Sequence, residues 1–297
     1  MRSRPLPKAR FAAIILILIV ASIVTLLVAC PPVTDKGSPA QKQTPPPGAS
    51  PSMGSPAAEG VPPGHPQLEK QGMLAIIIDD AGYNMGELQE FLDLPGPMTV
   101  AVLPNLPHSR EAARRVLAAG KDLILHCPME PVGGEDPGPG ALRTNQSQGE
   151  IEALLAAAFA SVPGAEGMNN HMGSRATADE PLMRAVLGFL KREGKFYIDS
   201  RTTVETVGPR IARELGVPST QRDVFIDADT TEAEITAAFI KGAEEAKTRG
   251  SAVLIGHVQN RAVIDILRAQ ERNLSGEGVR LARLTDVMRE REREPGQ

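Results

Sequence analysis

The chain has 297 residues, 41% of them apolar and 23% charged, so it is long enough for one domain of α/β-barrel size or for two small ones. Its formal net charge is -4 and its basic residues are dispersed, which gives no basis for a nucleic-acid-binding face. Aromatic residues make up only 3% and Trp is absent, which argues against a deep aromatic groove for sugar stacking. The two cysteines, Cys30 and Cys127, lie in different regions and do not imply a disulfide framework.

Residues 1–30 predict a membrane-targeting segment. Basic residues within positions 2–10 precede an unbroken apolar run over positions 11–29, which is typical of a signal peptide or membrane anchor. The end of the run, Leu27-Val28-Ala29-Cys30, also resembles the bacterial lipoprotein cleavage box, in which the Cys becomes the lipidated N-terminus. A lipoprotein signal and an uncleaved anchor fit equally. Both predict a membrane-anchored protein outside the cytoplasm, in the periplasm or at the cell surface of a bacterium.

Residues 31–70 predict a linker between this segment and a folded domain. They are rich in Pro, Gly, Ser, Ala and Gln and contain almost no large apolar residues. Such a stretch buries too little surface to offset its ordering entropy, so we expect a disordered and partly extended spacer. The remaining residues, 71–297, are expected to form one domain.

Strand and helix signals alternate from residue 73 onward. Short apolar runs, typical of strands buried on both faces, lie at residues 73–78, 98–103, 122–125, 195–198, 223–226 and 251–255. Helical patterns lie at residues 109–119, 150–161, 180–192, 231–248 and 261–272. This alternation predicts a parallel sheet built by right-handed crossovers. About seven or eight such units predict an α/β fold with a distorted or incomplete (β/α) barrel; an open doubly wound sheet is the alternative.

Residues with catalytic chemistry follow the predicted strands. In parallel α/β folds, reactive residues gather at the carboxyl ends of the strands. The acidic and imidazole side chains in such positions are Asp79, Asp80, His126, His171, Asp199 and His257. Each has a simpler explanation by itself, because acids after a strand often cap a helix and a lone His is usually structural. Their joint placement is what predicts a site.

This set of side chains is the minimum equipment for hydrolysing an amide without a covalent intermediate. One carboxylate and two neutral imidazoles make a metal site that leaves positions open for water and substrate. A second carboxylate close to the metal can act as general base. A further His on the opposite side can protonate the leaving amine or stabilise the oxyanion.

Five motifs follow one another along the domain. They are Asp79-Asp80-Ala81-Gly82-Tyr83, Leu103-Pro104-Asn105-Leu106-Pro107-His108, His126-Cys127-Pro128-Met129-Glu130, Asn169-Asn170-His171-Met172-Gly173 and Asp199-Ser200-Arg201-Thr202. Together they resemble the divergent polysaccharide deacetylase family of bacteria, which is similar to the broader polysaccharide deacetylases. The resemblance implies a distorted (β/α) barrel and a divalent metal, commonly zinc.

The resemblance also implies a role for each residue of the site. The first Asp of the pair, Asp79, matches the general base, and Asp80 matches a metal ligand. His126 matches one His ligand, and His257 matches the catalytic acid. One departure concerns the second His ligand, because the broader family takes both from one His-x-x-x-His segment and His126 has no His four residues later. His171 is then a better candidate than His108.

The function implied by the resemblance is removal of N-acetyl or related acyl groups from a cell-envelope polysaccharide. Asn170, Asp199 and Arg201 are the candidate substrate-binding residues. Two alternatives stay open at this point. One is a non-catalytic glycan-binding or scaffolding domain that keeps the deacetylase fold, and the other is a metal hydrolase that acts on another amide or ester.

Overall fold

A computed structural model of the protein describes residues 71–228 and 231–293. The predicted targeting segment, residues 1–30, and the predicted linker, residues 31–70, lie outside the described residues. Within the described part of the chain, no helix combines the length and the apolar character needed to cross a membrane.

The described residues alternate between strands and helices along the chain. The strands are β1 (Gly72–Ala81), β2 (Thr99–Val102), β3 (Asp122–Met129), β4 (Gly167–Met172), β5 (Phe196–Asp199), β6 (Ser219–Gln221), β7 (Val224–Phe225), β8 (Ser251–His257) and β9 (Val279–Leu281). The helices are α1 (Met85–Leu92), α2 (Ser109–Ala118), α3 (Gln148–Ser161), α4 (Glu180–Arg192), α5 (Gly208–Leu215), α6 (Glu232–Arg249), α7 (Arg261–Leu274) and α8 (Leu284–Arg293).

The strands form one parallel sheet in the order β6-β5-β4-β3-β2-β1-β8-β7, and β9 pairs with the first residues of β1. The order rises without reversal from β1 to β6, and β7 and β8 return to the other side of β1. A doubly wound sheet would instead reverse its order at a switch point. Because the two edge strands, β6 and β7, are neighbours in the chain yet do not pair, the barrel is incomplete. The predicted incomplete (β/α) barrel is confirmed.

Two arginine side chains lie at the gap between the edge strands, and one of them, Arg291, bridges it. Arg291 of α8 donates to Thr220 Oγ1 at 2.9 Å and also contacts the Asp223 carboxylate, so it ties β6 to the start of β7. Arg222, between the two strands, donates to the backbone oxygens of Ser200 at 2.7 Å and Arg201 at 2.9 Å. Hydrogen bonds from side chains therefore hold the seam, where a closed barrel would have a strand ladder.

The two faces of the sheet are both buried, and alternate residues of each strand belong to different clusters. In β1, Leu74, Ile76 and Ile78 pack against the helices. The interior cluster takes the residues between them, together with interior residues of other strands: Met73, Ala75, Ile77, Ala101, Ile124, Ile198, Val253 and Ile255. This two-sided burial explains why the strands read as continuous apolar runs. It also fixes which residue of each strand points inward.

The predicted helices all occur, with ends within two residues of those predicted, and the helix predicted over residues 180–192 has those bounds. Elements that the apolar patterns did not indicate are α1, α5, α8, β4, β6 and β9. Strands β6 and β9 have only three residues each, too few for a periodic signal. Strand β4 has six residues, but its polar sequence, Gly-Met-Asn-Asn-His-Met, is not an apolar run. Helix α1 does carry a local signal, because Asn84 caps it by accepting from Gly86 N at 2.9 Å.

Candidate metal centre

A β-bulge at the end of β1 brings two consecutive carboxylates to the barrel interior. Successive side chains of a regular strand point to opposite faces. Asp79 continues the inward set, so Asp80 would be expected to face the helices. Instead, Asp80 has φ 65, and β1 advances three residues between Ile78 and Ala81 while β2 advances only two. The extra residue turns Asp80 toward the same side as Asp79. Asp is one of the few residue types that adopt this left-handed conformation at modest cost.

The two candidate imidazole ligands come from neighbouring strands. In the β3–β4 register, His126 lies beside Asn169, and Pro128 lies beside His171. Laterally paired residues of parallel strands point to the same side, and residues two apart on one strand share a face. Both imidazoles therefore reach the interior from positions that differ in height by one pleat.

Three ligand atoms converge in a nearly equilateral triangle. His126 Nε2 lies 3.1 Å from Asp80 Oδ1, His171 Nδ1 lies 3.0 Å from the same oxygen, and the two nitrogens are 3.0 Å apart. Ligand atoms that share one ion at bond lengths of about 2.0–2.2 Å lie about 3 Å from one another. Asp80 Oδ1 is buried and has no hydrogen-bond partner, although both imidazoles are close. A cation would satisfy this atom, so the triad Asp80, His126 and His171 could bind a metal ion.

The electrostatics of the buried pair also favour a cation. Burial raises the pKa of Asp79 above its usual range. Burial opposes ionisation of Asp80 as well, but the imidazoles of His126 and His171 outweigh it and hold the pKa of Asp80 below its usual range. Burial lowers the pKa of His126, yet the two carboxylates reverse that effect and the net shift is upward. The centre thus has a deficit of positive charge that a divalent ion would cover.

Asp79 is placed to act beside the triad. It is only 2% exposed, and its Oδ1 accepts a hydrogen bond from Asn169 Nδ2 at 2.8 Å. Its other oxygen, Oδ2, lies 3.7 Å from His126 Nε2, which is one of the triad atoms. One oxygen is therefore held in place, and the second faces the triad.

His257 approaches from the opposite side of β1. In the β1–β8 register it lies directly beside Asp79. Its Nδ1 lies 2.9 Å from Asp227 Oδ1, and its backbone N–H donates to Asp227 Oδ2 at 3.0 Å. The ring also stacks on Phe225 at 5.8 Å between centroids. Burial lowers the pKa of His257, but the Asp227 carboxylate dominates and raises that pKa to about 9. The imidazolium is therefore the stable form at neutral pH, and it can donate a proton from Nε2.

The structure places the predicted substrate-binding residues in two settings. Asn170 is buried, with Oδ1 accepting from Ser200 N at 2.9 Å and Nδ2 donating to Met172 O at 2.7 Å. Asp199 is also buried and accepts from Arg201 N at 2.7 Å and from Thr206 Oγ1 at 2.6 Å. Both side chains lie on the helix-facing side of the sheet, where they hold the loop after β5.

Arg201 is half-buried on that loop, with a left-handed backbone at φ 54. Contact of Asn170, Asp199 or Arg201 with a substrate stays a prediction.

Two residues near the predicted motifs lie outside the triad. His108 is exposed at the start of α2. Cys127 follows His126 on β3 but points to the helices, and burial raises the pKa of its thiol to about 12. A thiolate ligand at that position would therefore be costly, and the imidazole pair is the better ligand set.

Backbone strain gathers around the same rim. Among the described residues, the non-glycine residues with positive φ are Asp80, Asn105, Met172 and Arg201. Each lies at or just beyond the carboxyl end of a strand, namely β1, β2, β4 and β5. Such conformations persist where the surroundings dictate them, and they often mark functional sites.

Three residues of the centre were not identified from the sequence. Neither Asn169 nor Asp227 has a predicted role in the site, and neither has Gln259, which donates to Asp80 Oδ2 at 2.9 Å. Strand alternation could have found Asn169, which lies two residues before His171 and shares its face. Asp227 lies 30 positions before its partner His257, and no local pattern links the two.

The protein is therefore an open (β/α) barrel, and a His/Asp triad that could bind a metal ion lies at the carboxyl ends of its strands. The sequence profile described as divergent polysaccharide deacetylase matches residues 76–288, and the chain belongs to that family. Membership implies a carbohydrate-related hydrolase fold and a polysaccharide as the class of substrate.

Similar proteins occur in bacteria. An uncharacterized protein of Haemophilus influenzae is 36% identical over 204 residues, which are 69% of this chain and 72% of that protein. The uncharacterized protein YibQ of Escherichia coli is 36% identical over 203 residues, which are 68% of this chain and 63% of that protein. The crystal structure of the uncharacterized protein ATU2773 from Agrobacterium tumefaciens has a TM-score of 0.70 at 21% identity. That match covers 73% of this chain and 89% of that one, and it supports the fold.

Removing both imidazoles should abolish metal binding. We expect the full-length protein to bind about one divalent ion per chain and the His126→Ala, His171→Ala double variant to lose it, because Asp80 alone leaves the site without nitrogen ligands. The measurement is metal content by elemental analysis after dialysis against zinc. His108→Ala, which removes an exposed imidazole, is the matched control and should retain the ion. Equal metal content in the double variant would show that the triad is not the site.

Replacing Asp227 should shift the titration of His257. In the metal-free protein, the His257 ring is expected to titrate at a pKa of about 9. Asp227→Asn keeps an oxygen for the backbone N–H of His257 but removes the negative charge, so the pKa should fall. NMR titration of the imidazole signals measures this, and exposed His108 serves as the internal control. If protonated His257 donates the proton, activity is lost as pH rises through its pKa, and in Asp227→Asn that loss begins at lower pH. An unchanged His257 titration would contradict the assigned role of Asp227.

Proposed function

We propose that the protein is a metal-dependent hydrolase that removes N-acetyl or related acyl groups from a cell-envelope polysaccharide. The observation that carries this proposal is the position of the Asp79 carboxylate. It lies between the metal triad on one side and His257, its lateral neighbour in the β1–β8 register, on the other. A general base is thereby flanked by a cation site and by a proton donor, which is the arrangement that amide hydrolysis requires.

Metal binding, proton acceptance and proton donation are assigned to different residues in this proposal. A divalent ion such as zinc, bound by Asp80, His126 and His171, would supply Lewis acidity toward the acyl carbonyl and the attacking water. Asp79 takes a proton from that water at Oδ2 as the water oxygen bonds to the carbonyl carbon. His257 gives its Nε2 proton to the nitrogen as the C–N bond breaks, which releases an amine and a carboxylic acid.

Exposed apolar side chains on the loops at the rim of the barrel favour a substrate larger than the acyl group. Among the described residues, exposed large apolar side chains include Tyr83, Val132 and Val204, which lie on the loops after β1, β3 and β5. These loops surround the carboxyl ends of the strands, where the triad lies. A sugar chain that presents one acyl group to the centre would contact them with its neighbouring units.

The intact triad weighs against the non-catalytic alternative. The missing His-x-x-x-His segment suggested altered chemistry, but His171 supplies a second imidazole from β4 at 3.0 Å from both partner atoms. A binding or scaffolding domain would need neither Asp79 beside the triad nor the Asp227 charge behind His257. The second alternative, hydrolysis of another amide or ester, uses the same residues and differs only in substrate.

The proposal includes a membrane-tethered location outside the cytoplasm. It rests on the basic and apolar pattern of residues 1–30 and on the Pro/Gly/Ser-rich composition of residues 31–70. A cell-envelope polysaccharide would be accessible to a domain held there by a long spacer.

Asp79→Asn should remove turnover without removing the metal. The amide keeps the shape of the side chain and an oxygen that accepts from Asn169, but it cannot take a proton. Acetate release from N-acetylated glycans by the zinc-loaded protein should fall by about 10²–10⁴-fold, with zinc affinity changed less than about threefold. Asp265→Asn, which alters a half-exposed carboxylate on α7, is the control.

The other outcomes of this experiment would each favour a different interpretation. Full activity in Asp79→Asn would exclude Asp79 as the base. Wild-type turnover of other acyl substrates, but not of acetylated glycans, would favour the broader amide or ester hydrolase. Glycan binding without turnover of any acyl substrate would favour the scaffold.

The N-terminal segment should tether the protein to the membrane in bacterial cells. Fractionation of cells that express the full-length chain should recover it with the membranes. A Cys30→Ala variant separates the two forms of the tether, because incorporation of labelled fatty acid depends on Cys30 only in a lipoprotein. Recovery of the wild-type protein in the soluble fraction would contradict the tether.

A further inference from the structure

We propose that Asn169 is a positioning residue that orients the metal ligand His126 and the base Asp79 at the same time. Its oxygen Oδ1 lies 2.7 Å from His126 Nδ1, and its nitrogen Nδ2 donates to Asp79 Oδ1 at 2.8 Å. The side chain is fully buried. One amide therefore joins a group of the metal triad to the group that takes the proton. The Asp79 half of this inference rests on the proposed function, whereas the His126 half rests on metal binding alone.

The amide selects one tautomer of His126. Because Oδ1 is an acceptor only, the proton of a neutral His126 ring must be on Nδ1. The lone pair is then on Nε2, the atom that lies 3.1 Å from Asp80 Oδ1 in the triad. Hydrogen bonds of this kind to the non-ligating nitrogen fix both the tautomer and the orientation of metal-binding imidazoles.

The other end of the amide fixes the rotation of the Asp79 carboxylate. Nδ2 is a donor only, so it holds Oδ1 as an acceptor and leaves Oδ2 facing the triad, 3.7 Å from His126 Nε2. Without this bond, the carboxylate could turn toward any other donor in the interior. The separate donor and acceptor of an amide are what allow one short side chain to serve both neighbours.

The fold explains why this position is occupied by Asn. Asn169 pairs laterally with His126 on β3 and with Ile198 on β5. Its amide therefore lies among interior side chains, and its backbone is held in a strand that is paired on both sides. Asp in its place would set a second carboxylate against Asp79, and Ala would contact neither neighbour. The adjacent Asn170 points to the opposite face and bonds to Ser200 and Met172, so it does not duplicate this role.

Two substitutions separate the two hydrogen bonds. Asn169→Ala removes both, whereas Asn169→Asp retains an acceptor for His126 Nδ1 but has no donor for Asp79. The hydrogen bond between Asn169 Oδ1 and His126 Nδ1 is tested by the zinc affinity of the full-length protein, measured by competition with a chromophoric chelator. Asn169→Ala should weaken zinc binding by about 10–100-fold, and Asn169→Asp should bind zinc as tightly as wild type or more tightly. Asn273→Ala, an exposed asparagine on α7, is the matched control. Wild-type affinity in Asn169→Ala, or equal weakening in both variants, would overturn the His126 half.

Turnover tests the second hydrogen bond, from Asn169 Nδ2 to Asp79 Oδ1. In Asn169→Asp the zinc-loaded protein should lose kcat with little change in KM, as Asp79 loses its fixed orientation. Wild-type kcat in this variant would overturn the Asp79 half.

Failure of the proposed function can be distinguished from failure of this inference. If the proposed function is wrong, the wild-type protein turns over no acyl substrate at all. The melting temperature of the metal-free protein then decides the Asp79 half. Asn169→Asp should lower it by opposing two carboxylates, and the exchange variant Asp79→Asn, Asn169→Asp should recover it by restoring one donor and one acceptor. No recovery in the exchange variant would overturn the contact.

Discussion

The alternation of side chains in a parallel strand decides which residues meet inside this barrel. Every strand gives the interior only its alternate residues, and the lower interior positions are filled by Ile77, Ile124, Ile198 and other apolar side chains. Two residues further along β1, β3 and β8, the inward positions are Asp79, His126 and His257. The candidate metal centre therefore lies directly above the apolar interior cluster. An apolar floor lowers the local dielectric and strengthens the electrostatic interactions above it.

Among the described strands, the bulge at Asp80 is the one shift in pairing register, and the centre depends on it. A regular β1 would send Asp80 among the helices, where a carboxylate has no partner and burial is costly. The left-handed backbone at this residue costs some conformational energy, which the contacts of the turned carboxylate with two imidazoles offset. The adjacent acids thus have separate positions, one at a regular inward site and one at a bulged site. That separation is what allows them to have separate roles.

Much of the fold and part of the site could be predicted from the sequence, and the division has a physical reason. Two-sided burial gives strands that are apolar throughout, and helices of ten or more residues show periodicity, so the barrel and the strand-end acids and imidazoles could be recognised. The bulge could not, because neither Asp79 nor Asp80 differs locally from a helix-capping pair. Partners that meet across the interior, such as Asp227 with His257, carry no signal at short range. The inward direction of Asn169 was missed because β4 is too polar to be recognised as a strand. Once β4 is known, alternation places Asn169 inward and its neighbour Asn170 on the opposite face.

The distribution of charge across the interior explains how an imidazolium and two carboxylates can coexist within one small space. Asp227 neutralises the imidazolium of His257 locally, through both a ring contact and a backbone bond. His257 therefore does not need Asp79 as its counter-ion, although the two residues are lateral neighbours on β8 and β1. The negative charge of Asp79 and Asp80 stays directed at the triad, where burial makes a cation most favourable. Without Asp227, the imidazolium of His257 would have its lateral neighbour Asp79 as a counter-ion, which would draw the charge of Asp79 away from the triad. Asp227 thus helps to keep that charge directed at the triad.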